Sequence, residues 1–152
     1  MKKQGLMIVL LMGLAAAAHA AEKRPALSPS MAMGSYKPLS LPKDQGDPRS
    51  ILRQAVVRKS EGASVIDLDN GHTLPLVEKN GVFVFSESFG DGDCDDPGCG
   101  NLTRIFGVVY NKRINDKWVP TVKASVEIDF PYPESDDDYD GPVTFVAHFG
   151  KK

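Results

Sequence analysis

Two cysteines, one tryptophan and three histidines in 152 residues leave little material for several kinds of chemistry. Two thiols cannot supply the four ligands of a structural zinc site, and Cys94 and Cys99 are spaced more widely than the Cys-x-x-Cys of a redox dithiol. Only His72 and His148 lie beyond the first 20 residues. His72 is in phase with Leu74 and Leu76, and His148 shares an outward face with Thr144, so both read as ordinary sheet residues rather than bases or ligands. There is no Gly-x-Ser-x-Gly elbow, no His-Glu-x-x-His pair and no glycine loop built to cradle phosphate. No apolar run reaches the roughly 20 residues of a membrane-spanning helix. Basic charge is not in excess either, with 18 Lys and Arg against 20 Asp and Glu.

What is present begins with an export signal. Lys2 and Lys3 precede an apolar run from Leu6 to Ala18, which closes on Ala18-His19-Ala20. A charged start, a short apolar stretch and a small-x-small tripeptide are the parts of a secretory signal. Residues 1–20 are therefore expected to be cleaved after Ala20, leaving a periplasmic or secreted protein, and the alanine-rich leader suggests bacteria. No cysteine follows the apolar stretch, which argues against a lipid anchor. Without Lys2 and Lys3 the chain holds 16 basic and 20 acidic residues, a net charge of −4. That balance argues against a nucleic-acid partner and against a polybasic membrane-surface protein. No stable membrane anchor is expected once the signal is gone.

Residues 21–46 carry prolines at 25, 29, 38 and 42 without a sustained apolar period, and read as a flexible tether. Tyr36, Leu39 and Leu41 offer the alternative of an arm docked on the domain. Residues 47–152 read as a single β-rich domain. Asp47-Pro48 is a helix start, and Ile51, Leu52, Ala55 and Val56 make one apolar stripe that predicts a short helix ending by Gly62. The rival reading places Ala55-Val56-Val57 on a strand.

Beyond Gly62 the apolar period becomes two. Segments 64–68 and 72–76 flank Asp69-Asn70-Gly71, and Asn80-Gly81 leads into Val82-Phe83-Val84-Phe85. Asn-Gly is the strongest short hairpin signal. Segments 102–110, 122–130 and 143–149 complete about six strands. In the clearest, Val122, Ala124, Val126, Ile128 and Phe130 alternate with Lys123, Ser125, Glu127 and Asp129, one face for the core and one for water. Short connections favour antiparallel neighbours. The expected fold is mainly β: a small antiparallel meander sheet, sandwich or partly open barrel with one short N-terminal helix.

Two long loops interrupt this pattern, at 90–101 and 131–142. They hold Asp91, Asp93, Asp95, Asp96, Glu134, Asp136, Asp137, Asp138 and Asp140, nine of the 20 acids and no base. Long irregular loops on a tightly turned scaffold are where binding residues concentrate. Cys94 and Cys99 bracket a Pro-Gly turn and, in an exported chain, are expected to form a disulfide. Asp136, Asp138, Asp140 and Gly141 reproduce the first half of a calcium loop, but Ala147 stands where its closing glutamate belongs. The sequence contains no catalytic constellation and calls for no cofactor other than that calcium ion. The expected function is a non-catalytic binding module, of inhibitor or immunity type, whose acidic loops engage a basic protein partner. A calcium-stabilised adhesive or structural domain is the second expectation, and a small secreted hydrolase with a carboxylate site the third.

Overall fold

The computed structural model describes residues 22–43, 52–90, 102–129 and 141–152. The expected signal, positions 47–51 of the expected helix, both cysteines and all nine loop acids lie outside the described residues. Along the chain come α1 (Pro29–Ala32), β1 (Gly34–Ser40), β2 (Ala55–Ser60), β3 (Ala63–Leu68), β4 (Thr73–Pro75) and β5 (Val77–Lys79). Then follow β6 (Val82–Gly90), β7 (Leu102–Ile114), β8 (Lys117–Asp129) and β9 (Val143–Lys151).

The strands form one antiparallel sheet in the order β4-β3-β2-β1-β9-β8-β7-β6-β5. Its two edge strands, β4 and β5, are separated in sequence by Leu76 alone. The Leu76 N–H donates to the carbonyl of Ser64 at 2.9 Å, so the chain itself crosses from one edge of the sheet to the other. The result is a nearly closed barrel, which removes most of the exposed strand edge. Tight turns make the meander possible. Glu61-Gly62, Asn80-Gly81 and Asn115-Asp116 each place both central residues at positive φ, the geometry that matches strand twist in two-residue hairpins.

Alternation carries one row of side chains from every long strand into the barrel. Val122, Ala124, Val126 and Ile128 of β8 meet Ile105 and Val109 of β7, Phe83 and Phe85 of β6, and Ala147 and Phe149 of β9. Tyr36, Val57, Ile66, Leu68 and Leu74 fill the opposite side. Each large apolar side chain buried here contributes about 1.5–3 kcal/mol. Gly107 lies against Phe85: a Cβ built there would stand 2.5 Å from the Phe85 ring and 2.2 Å from the Lys123 carbonyl. The outward faces carry Arg58, Arg104, Lys112, Lys123 and Glu127.

Two expectations are corrected. The helix predicted from Ile51, Leu52, Ala55 and Val56 is absent from the described residues: 52–54 are irregular and Ala55–Ser60 is strand β2. Ala55 and Val57 point into the barrel opposite Leu68 and Ile66, and the Glu61-Gly62 turn folds β2 onto β3. Strand pairing and β-branched Val56-Val57 outweigh the apolar spacing, which also fits a helix. Within the stretch expected as a tether, residues 34–40 are built into the sheet as β1, which pairs β2 on one side and β9 on the other. Tyr36 anchors it fully buried, while Leu39 and Leu41 remain exposed. The helix that does form is the single turn α1, with Pro29 in its first turn and the Ser28 hydroxyl accepting from the Met31 N–H. The count rises from six strands to nine because β1 and β2 form where a tether and a helix are expected and the chain breaks at Leu76 between β4 and β5.

The candidate partner-binding end of the barrel

The two ends of the barrel differ. One gathers the three two-residue turns, the start of β1 and the end of β9. Residues 22–33 lie across it. Leu27 is buried and its N–H donates to the Gly81 carbonyl at 2.8 Å. Asn111 donates from Nδ2 to the Pro25 carbonyl at 3.1 Å, Tyr36 from its hydroxyl to the Ala32 carbonyl at 2.6 Å, and Lys151 from Nζ to the Met31 carbonyl at 2.7 Å. Arg113 pairs with Glu22 at the margin. This end is closed by the chain's own N-terminal segment.

The opposite end receives every longer connection: 41–54, 69–72, 91–101 and 130–142. Register fixes where the acidic connections are rooted. Gly90, the last residue of β6, pairs with Leu102, the first of β7, and Leu102 also pairs with Asp129, the last of β8. Ile128 pairs with Val143, the first of β9. The four roots thus stand on four adjacent strands, and at about 4.8 Å per strand they span roughly 15 Å. Every one of the nine predicted acids lies in sequence between two of these roots. Leu102 and Val143 are themselves 44% and 46% exposed, so apolar surface accompanies the acidic connections.

The end is braced from beside. The Asp69 carboxylate, in the β3–β4 turn, accepts from the Arg53 N–H at 3.0 and 2.9 Å and from the Gln54 N–H at 3.1 Å. This ties the last residues before β2 to the turn. In the sequence Asp69 signals only a turn, and nothing there points to its partners 15 and 16 residues away. His72 is half-buried with its ring centroid 4.2 Å from that of Phe89, a packing role.

His148 points outward from β9, its Nδ1 3.1 Å from the Ser40 hydroxyl of β1. Burial first, then Lys112 and Lys123, hold its pKa below the ordinary histidine range. A nucleophile relay needs a carboxylate to orient and strengthen the base, and cations around the ring weaken it instead. Among the described residues no three His, Cys, Asp or Glu side chains group closely enough to hold a metal ion. Asp136, Asp138 and Asp140, the predicted calcium ligands, lie outside the described residues, as do Cys94 and Cys99. The ends of the cysteine-bearing connection, Gly90 and Leu102, are already held as a cross-strand pair.

The buried side chains of the described strands form one apolar cluster inside the barrel. A groove of about 690 Å³ lies outside it, beside Lys23, Arg24 and the Asn80-Gly81 turn. No family model matches the chain, and no curated protein or solved structure is significantly similar to it.

Proposed function

We propose that the chain is exported by the leader at 1–20 and acts as a non-catalytic binding module, presenting its two acidic connections as one anionic surface to a basic protein. The carrying observation is the adjacency of Gly90, Leu102, Asp129 and Val143 at one end of the barrel. Nine acids and no base on connections rooted within roughly 15 Å concentrate negative potential there. Such a surface speeds encounter with a cationic partner and disfavours acidic ones. Strand pairing fixes the four roots before binding, which reduces the ordering cost, and exposed Leu102 and Val143 supply apolar contact beside the charge. In a periplasm, cationic cell-wall hydrolases are a partner class of this chemistry, which makes an inhibitor or immunity role the specific form of the proposal.

The test is calorimetric titration of a cationic cell-wall hydrolase with the mature protein and with D136K/D137K/D138K. Affinity should fall at least tenfold in the variant and should weaken with salt in the wild type. Equal affinity for both proteins would remove the acidic connections from the interface. The same adjacency serves the second reading, in which a calcium ion takes ligands from both connections. Thermal melts in calcium and in EDTA separate the two, since a cation bound only to the folded protein raises the midpoint.

A further inference from the structure

A net charge of −4 conceals a separation of charge. Outside the two acidic connections the mature chain keeps 16 basic and 11 acidic residues, a net charge of +5. Part of that excess is gathered on the outer wall of β1, β9, β8 and β7. One cross-strand row there runs Val108, Lys123, His148, Ser40, and the next runs Tyr110, Thr121, Gly150, Lys37. Lys112 follows Tyr110 on the same face of β7, and Lys152 lies against Lys37. None of these four lysines forms an ion pair among the described residues. Like charges at neighbouring sheet positions repel, so the arrangement is held at a cost to the barrel.

The wall is also apolar in two places. Leu39, at the irregularity between β1 and β9, packs over Gly150 and is 50% exposed among the lysines. On the other flank a depression of about 320 Å³ lies at Gly107, lined by Phe85, Phe106, Val108, Lys123 and the buried Ser125. Cations beside exposed hydrocarbon match an anionic amphiphile better than a soluble anion, which has no use for the apolar part.

We propose that this wall docks the protein reversibly on an anionic phospholipid surface, with Lys37, Lys112, Lys123 and Lys152 on the headgroup phosphates and Leu39 and the Phe106–Val108 depression toward the acyl boundary. The contact is peripheral, and it is independent of the acidic end, which lies on other residues. It also explains how a chain of net negative charge meets a negative surface: the acids are rooted at the barrel end and the lysines on its side.

The experiment is sedimentation of the mature protein with vesicles of equimolar phosphatidylglycerol and phosphatidylcholine, against vesicles of phosphatidylcholine alone. Each lysine near an anionic leaflet strengthens binding roughly fivefold. K112E/K123E should therefore lower partitioning at least about 25-fold, and physiological salt should weaken it. Leu39→Ser, with its fold checked by a thermal melt, should lower partitioning several-fold at unchanged charge. The proposal is overturned if phosphatidylglycerol vesicles do not carry the protein down, or if K112E/K123E sediments as the wild type does. It is equally overturned if Leu39→Ser has no effect while soluble inorganic polyphosphate displaces the protein, which makes the wall a polyanion site. Self-association at low salt, abolished by K112E/K123E in protein that ignores vesicles, would assign the wall to a second copy of the chain.

Discussion

Gly107 shows how one missing side chain sets the barrel interior. Its place on β7 leaves room for the Phe85 ring, and an added methyl would meet the Lys123 backbone as well as that ring. Gly107→Ala should cost about 1–3 kcal/mol by overpacking, read from urea unfolding. Asp69→Ala should cost about 1–2 kcal/mol, because two backbone N–H groups lose their acceptor. Asp69→Asn, which keeps an acceptor oxygen, should recover part of that loss. His148 gives a pH dependence. Its depressed pKa means that the unfolded chain takes up the proton first as pH falls. The stability it contributes is complete above about pH 6.5 and is lost as pH drops from there toward the folded value. The groups facing the ring are Ser40 on β1, Lys112 on β7 and Lys123 on β8, none of them an acid that could offset this. Between pH 7 and pH 5 the melting midpoint should fall less in His148→Gln than in the wild type, and an equal fall in both would exonerate the histidine.

At the scale of elements, the strands marked by alternation, an apolar run or an Asn-Gly turn were legible in the sequence, and β1, β2 and β5 were not. Val122, Ala124, Val126 and Ile128 of β8 and Ala147 and Phe149 of β9 are buried as their pattern requires, Val143 at the start of β9 is exposed instead, and Asn80-Gly81 makes its hairpin. β1 was hidden because Tyr36 is its one buried side chain, and Pro38 interrupts any donor ladder. β2 was hidden because Ala55-Val56-Val57 satisfies a helical and a strand pattern alike, and only its partner β3 decides. A partly open barrel was among the folds the pattern allowed, but the β1–β9 pairing that joins the two halves of the sheet was not legible, since it links residues more than 100 positions apart. The N-terminal segment 22–33 belongs with these elements. Leu27→Ala should destabilise the protein by about 2–5 kcal/mol, as for other fully buried leucines. A change below about 0.5 kcal/mol in chemical unfolding would mean that the segment is not a working part of the barrel.

For the whole molecule, the sequence showed where acid accumulates but not what stands beside it. Nine acids in two connections were plain from composition, and their adjacency required the register of β6, β7, β8 and β9. The lysines of the outer wall were invisible as a group, because Lys37, Lys112, Lys123 and Lys152 are far apart in sequence. The calcium reading has its own outcome: a midpoint several degrees higher in millimolar calcium than in EDTA would make the acids ligands, and an unchanged midpoint would leave them for a protein partner. The most direct measurement on function is a double-mutant cycle across the two connections. Asp91, Asp93, Asp95 and Asp96 are changed to Asn in one variant, Asp136, Asp137 and Asp138 in the other, and both sets in the third. Binding to a cationic cell-wall hydrolase is measured for all four proteins. A single anionic surface predicts that each set weakens binding and reduces its salt dependence, with the combined variant weakest of all. Affinity that survives either set unchanged would contradict it.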